Sequence, residues 1–188
     1  LIQVNERNAE IYHYLVYAEK VAEWFQNDYD MRNAAIQEKI ENRVNKYFQE
    51  IYHGNRYVKI NPGYRVTLYS KSNGREIYTD ESTGLETVKN FSFIAGLVDM
   101  AKEKLTDQSE DDLNKIEEYP LVLDAPFSNV DEEHVKNISN VLPRVTGQLI
   151  LIVMEKDWNY AEEELSSRIG KKYNLVKVSE TNTKIVEV

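Results

Sequence analysis

Apolar positions in the first quarter of the chain recur every three to four residues: Ile11, Leu15, Ala18, Ala22 and Phe25, then Ile36, Ile40, Val44, Phe48 and Ile51. That period marks one helical face and predicts helix from about residue 5 to 52. The polar cluster at residues 26–30, between the two sets, predicts a break or kink. No Gly or Pro interrupts the run before Gly54, which stands where a helix-ending residue is wanted. A helical hairpin and the returning strand of a long coiled-coil arm, cut off at residue 1, both satisfy the pattern.

Beyond Gly54 the period shortens. Residues 57–60 alternate, Asn61-Pro62-Gly63 supplies turn chemistry, and residues 64–69 alternate again. Lys71-Ser72-Asn73-Gly74 forms a second turn around the strongest short hairpin signal, and Glu76-Ile77-Tyr78 returns. A meander of three short antiparallel strands is predicted. From about 86 to 105 the helical period is back. Val88, Phe91, Ala95, Val98 and Ala101 mark one face, while Phe93, Ile94, Leu97 and Met100 add a second, so this helix is buried on most sides. Residues 106–118 are acidic, with Leu113 and Ile116 the apolar exceptions, and predict a solvated loop.

Leu121, Val122 and Leu123 form an uninterrupted apolar run that stops at Asp124; within residues 148–153, Leu149 to Val153 form another after Gln148, followed by Met154 and Glu155. Runs without alternation predict strands buried on both faces, as in a parallel sheet. Helices are expected at 132–142, ending at Pro143, and at about 158–169, stopped by Gly170. Residues 175–178 and 183–188 finish the chain as short strands. Strand, helix, strand, helix, strand predicts a parallel α/β arrangement. The chain therefore divides into a helical segment, 1–53, and an α/β lobe, 54–188.

Composition narrows the function classes. The 188 residues suffice for one core plus an extended arm. The absence of cysteine excludes disulfides and thiolate metal sites and is compatible with a reducing compartment. No apolar run approaches membrane-spanning length and the first residues are no signal peptide, so a cytoplasmic location without a membrane partner is expected. The lack of an initiator Met makes a piece of a longer chain the expectation. A net charge of -9 argues against this chain alone as a strong binder of phosphate backbones. His13, His53 and His134 lie far apart and predict no metal cluster.

Candidate chemistry gathers at a few short stretches. In open α/β sheets ligands bind beyond the carboxyl ends of the strands. Asp124, at such an end, either starts a turn or holds the hydrated Mg²⁺ of a nucleotide, which takes one or two carboxylates. Thr83-Gly84-Leu85-Glu86 reads locally as a capping box, Thr83 at the N-cap and Glu86 three residues on. A helix start beside a Gly is also an anion site, and here Thr83 and Gly84 would meet the γ-phosphate of a nucleotide on another subunit. Ser128-Asn129-Val130-Asp131 reads as a turn in which Ser128 or Asp131 caps the next helix, or as a loop crossing a dimer interface. Glu155, placed at the end of the second strand, falls on the same sheet edge as Asp124. No Gly-x-x-x-x-Gly-Lys-Ser/Thr phosphate loop occurs among the seven glycines.

Taken in order, helical arm, antiparallel strands, Thr-Gly-Leu-Glu at a helix start, Leu-Val-Leu-Asp-Ala-Pro-Phe, Ser-Asn-Val-Asp and a second buried strand resemble the C-terminal lobe of ABC-type ATPase heads. The likeness is to the structural-maintenance-of-chromosomes-like (SMC-like) family, including the double-strand-break repair ATPase and relatives from DNA sulfur modification and anti-phage or anti-plasmid defence. The resemblance implies the C-terminal half of a P-loop head, with residues 1–53 as a coiled-coil base. Residues 82–86 match the signature motif, usually Leu-Ser-Gly-Gly-Glu, so that Ser82, Thr83, Gly84 and Glu86 contact nucleotide. Asp124 matches the Walker B aspartate that serves Mg²⁺, and Ser128 through Asp131 match the D-loop. Ala125 stands where the family has a water-activating Glu, and Glu155 where a switch His is usual. Alanine accepts no proton, which leaves Glu155 as the candidate catalytic substitute. The implied cofactors are ATP and Mg²⁺. The implied partners are a Walker A lobe of the same protein, a second head as homodimer, DNA, and an accessory nuclease or effector subunit. The rivals are an ATP-gated clamp with little hydrolysis and a flavodoxin-like phosphoryl-transfer domain using Asp124 directly.

Overall fold

In a computed structural model, residues 6–72, 74–107 and 120–188 are described. The chain opens with one continuous helix, α1 (Glu6–Ile51), 46 residues long. At 1.5 Å per residue it spans about 69 Å. No hairpin forms, and the break predicted at 26–30 is absent. Its polar residues support the helix instead: Gln26 donates to Asp30 at 2.9 Å and Arg32 to Asp28 at 2.8 Å, both four residues apart. The N-terminal two-thirds of α1 stays open, with Ile11, Leu15, Phe25 and Tyr29 exposed. Only from Ile40 onward do its side chains enter the core.

The predicted meander follows as β1 (Arg56–Asn61), β2 (Arg65–Ser72) and β3 (Arg75–Tyr78), antiparallel in that order. α1 seals the free edge of β1 with a row of side chains. Gln49 donates to Arg56 O at 2.7 Å. Asn45 both donates to Val58 O and accepts from Val58 N, each at 2.7 Å. Glu41 accepts from Ile60 N at 2.7 Å, and Gln37 donates to Ile60 O. Four residues of helix rise about 6.0 Å and two residues of strand about 6.6–6.8 Å, so Gln49, Asn45 and Glu41 meet the alternate strand residues Arg56, Val58 and Ile60, the last shared with Gln37.

α2 (Thr83–Asp107) crosses α1 where Gly96 abuts Val44; a Cβ on Gly96 would lie 3.1 Å from Val44 N. Arg43 bridges the same crossing to Asp99 at 2.7 Å and to Glu103. Thr106 and Asp107 continue the helix; the rest of the predicted acidic loop, to residue 118, lies outside the described residues. Phe48, Ile51, Val88, Phe127, Ile138 and Leu142 join the meander's inner face in one buried cluster.

β4 (Leu121–Asp124) and β5 (Leu149–Ile152) pair in parallel, as predicted. They are not buried on both faces. Leu121, Leu123, Leu149 and Leu151 pack against the core, while Val122, Ile150 and Ile152 remain 55%, 45% and 44% exposed. The run is apolar throughout, but among the described residues nothing covers the second face of this two-stranded sheet.

α3 (Glu132–Val145) runs through Pro143 instead of stopping before it, since a proline in the last turn forfeits a single helical hydrogen bond. α4 (Glu155–Leu165) begins earlier than predicted and gives way to a 3₁₀ turn at Ser166–Arg168. The last strands, β6 (Tyr173–Ser179) and β7 (Asn182–Glu187), form an antiparallel hairpin of their own. The expected third parallel strand is therefore absent among the described residues.

Candidate functional site

β4 delivers Asp124 to the carboxyl end of the parallel pair, where its register partner is Ile152. The side chain is exposed, and its carboxylate has no hydrogen-bond or ion-pair partner among the described residues. A lone uncommitted carboxylate at this edge fits the requirement of a hydrated Mg²⁺ that takes its other ligands from water and phosphate. Among the described residues no group of three or more acidic or His side chains could hold a metal by itself, so Asp124 would need help from a ligand.

The chain leaves Asp124 through a strained turn. Ala125 has φ 48° and Asn129 φ 61°, both in the left-handed region that side chains other than glycine seldom occupy. Ala125 N donates to Ile152 O at 2.8 Å, Ser128 N to Ala125 O at 3.2 Å and Val130 N to Phe127 O at 3.2 Å. Buried Phe127 anchors the turn from beneath and leaves Ser128 half-buried beside it. Asp131 closes the loop as the N-cap of α3, accepting from His134 N at 3.0 Å and meeting His134 Nδ1 at 2.5 Å. Partial burial alone would raise the Asp131 pKa, but the hydrogen bonds and charge of His134 outweigh it and hold the carboxyl below its ordinary value. Of the two capping options for this loop, Asp131 is the one used.

At the start of α2 the capping box does not form as predicted. Ser82 is the cap: its Oγ accepts from Leu85 N at 3.3 Å, and its carbonyl accepts from Glu86 N at 2.9 Å. Thr83 is already the first helical residue. Glu86 thus falls one position beyond the reciprocal place of a capping box. The consequence is chemical, because the N–H groups of Thr83 and Gly84 are left without an acceptor among the described residues. Two free amides at a helix N-terminus favour an anion. Exposed Glu86 faces a cleft of about 550 Å³ with Arg65, Tyr69 and Tyr78, beside the Lys89–Glu81 ion pair at 2.5 Å.

These two stretches meet. A Cβ on Gly84 would lie 2.9 Å from Asn129 O and 3.9 Å from Val130 Cα, so only glycine lets the helix start approach the loop backbone this closely. Ser82 to Glu86 and Ala125 to Asp131 thus form one surface.

Glu155 does not end the second strand as expected. β5 ends at Ile152, and Glu155 is the first residue of α4, exposed, behind a Met154 cap with no side-chain hydrogen bond. The helix claims it because the stretch 155–165 has a buried face, Asp157, Ala161 and Leu165, that the strand pattern hid. The sequence pattern also missed His134, whose spacing of three from Asp131 at a helix start was the available signal.

No protein-family model and no curated protein matches the sequence. Solved structures do. One, from work on ATP-driven dimerisation and DNA-stimulated activation of SMC ATPases, matches with a TM-score of 0.57 at 12% identity over 86% of this chain and 88% of the other. The Smc head domain of Pyrococcus furiosus, with an extended coiled coil and bound to the C-terminal domain of ScpA, matches with 0.58 at 12% identity over 97% of this chain. The Smc head of Pyrococcus yayanosii, with a coiled coil and joint, matches with 0.59 at 12% identity over 97% of this chain. The present chain spans 44% and 34% of those two proteins. It has the fold of the C-terminal portion of an SMC-like ATPase head, with α1 as its helical N-terminal segment.

Proposed function

We propose that the chain is the C-terminal lobe of an ATPase head that holds ATP and Mg²⁺ between two closed heads and uses head closure to clamp or remodel DNA. Asp124 would serve the Mg²⁺ of its own head. The free amides of Thr83 and Gly84, with the Thr83 hydroxyl, would meet the γ-phosphate bound to the partner head. Ser128 and Asp131 would border the same interface, and Ser82 and Glu86 would shape the helix start. A lobe carrying the phosphate loop would complete each nucleotide site. The DNA role, in repair or in defence against phage or plasmids with an accessory nuclease or effector, rests on resemblance.

The observation that carries this reading is the approach of Gly84 to Asn129 O. It joins an anion-ready helix start to the loop that follows Asp124 at the sheet edge. One residue favours the slower variant of the mechanism. Ala125 accepts no proton, so attack by water would rely on another group, for which Glu155 is the candidate. The clamp reading, ATP-driven closure with little turnover, follows from the same residue.

The test is ATP-dependent dimerisation and turnover of the full-length protein beside its Asp124→Asn and Gly84→Ala variants. Wild type should dimerise with ATP, and Gly84→Ala, whose Cβ would press on Asn129 O, should weaken that pairing and slow any turnover by up to about a hundredfold, the cost of misplacing a positioned group by an ångström. Asp124→Asn should remove the Mg²⁺ dependence. Dimerisation without turnover selects the clamp, and no ATP-dependent dimerisation overturns the reading.

A further inference from the structure

The partner-facing loop is fastened to the arm along one side of α3. The final carbonyl of α1, Ile51 O, would be an unsatisfied helix end, but Asn137 Nδ2 donates to it at 3.0 Å. The Tyr52 ring lies parallel to the His134 ring, 8° between planes and 6.0 Å between centroids. Arg144 reaches Glu50 at 2.5 Å. Residues 134, 137 and 144 share one face of α3, so three consecutive residues of the arm's end, 50 to 52, are gripped by a single helix. The same His134 is bound to the capping carboxylate of Asp131, and the loop ending there rests on Gly84 through Asn129 O.

We propose that His134 and Asn137 are positioning residues that set loop 125–131 by the orientation of the arm's last turn. This rests on the reading of that loop as part of the head-to-head interface. A change in the direction of α1 moves Ile51 and Tyr52. Asn137 and His134 pass it to the first turn of α3, and Asp131 passes it to the loop. Neither side chain touches nucleotide in this account. They determine whether the loop and the start of α2 lie together in the geometry a second head can accept.

The experiment uses the full-length protein with Asn137→Ala, Asn137→Gln, His134→Ala and His134→Phe. The first readout needs no nucleotide: hydrogen exchange at the amides of Ser128 and Val130, with the urea midpoint as control. Asn137 touches the arm and not the loop. Asn137→Ala should nevertheless speed exchange at both amides about five- to tenfold, the scale of one lost hydrogen bond, and more than at the amides of β1 and β2, which report the accompanying drop in global stability. His134→Phe keeps a ring against Tyr52 but loses Asp131, so it should free the loop while leaving the amides at the end of α1 protected. Asn137→Gln should restore part of the protection. The second readout is ATP-driven pairing, which should weaken in both alanine variants without a change in ATP affinity of the single head. Unchanged exchange at Ser128 and Val130 in Asn137→Ala overturns the inference. Altered exchange with no ATP-dependent pairing even in wild type leaves the mechanical link standing and removes the interface reading instead.

Discussion

Asp131 shows how one side chain answers two readings at once. It caps α3, and it stands in the loop proposed to face a second head. Its folded-state pKa lies below the ordinary value of 3.8. The sign follows from linkage: a carboxyl depressed in the folded state adds stability above its unfolded pKa and loses it as pH falls through the folded one. Acid titration of the full-length protein should therefore cost wild type more stability below about pH 4 than Asp131→Asn, which keeps the cap without the charge. Equal losses in the two proteins would show that the contact contributes nothing to acid sensitivity. At this scale the sequence was legible to within a residue. Thr83 and Glu86 were recognised as a helix start, but that the neighbouring Ser82 hydroxyl is the one that caps depends on backbone angles that a run of small polar residues does not encode. Ala125 and Asn129 at positive φ were not legible at all, since asparagine tolerates that region while alanine gives no sign of it.

The elements were read from periodicity, and they fail where periodicity is silent. The stretch 26–30 looked like a break because its residues are turn formers; inside a long helix the same residues pair four apart and hold it. The row Gln37, Glu41, Asn45 and Gln49 was hidden for a related reason: polar residues every four positions look like a solvated face. Here they finish a sheet edge. Asn45 is the centre of that row, satisfying both backbone groups of Val58. Asn45→Ala should destabilise the lobe by about 2–3 kcal/mol, because it strands a half-buried N–H and C=O together. Asn45→Asp keeps the acceptor, loses the donor and should cost less. Chemical denaturation of both variants, with a result near zero for alanine, would dismiss the row as ornamental.

For the whole molecule, the open face of β4 and β5 is the feature the sequence misplaced. Leu121-Val122-Leu123 records that both faces of the strand suit cover, not that this chain provides it. Parallel sheets are covered on both faces almost without exception, and a two-stranded hairpin such as β6–β7 is marginal in water by itself. The exposed Val122, Ile150 and Ile152 thus agree with a lobe that is incomplete in isolation. The chain of residues 1–188 alone should show no measurable ATP hydrolysis and at most weak ATP binding. Isothermal titration giving tight binding to it would defeat the division of labour proposed between two lobes. Among the described residues no helix is long and apolar enough to cross a membrane, in keeping with an arm whose apolar positions are spaced for another helix. The seal between α1 and the meander limits how such an arm can move. Its bridging side chains are shortest at Asn45 and longer on either side, at Glu41, Gln37 and Gln49, as a vernier absorbs the mismatch between two rulers. Sliding α1 by one repeat would bring Asn45 to a gap that Glu or Gln now spans, so the shaft has a single axial setting.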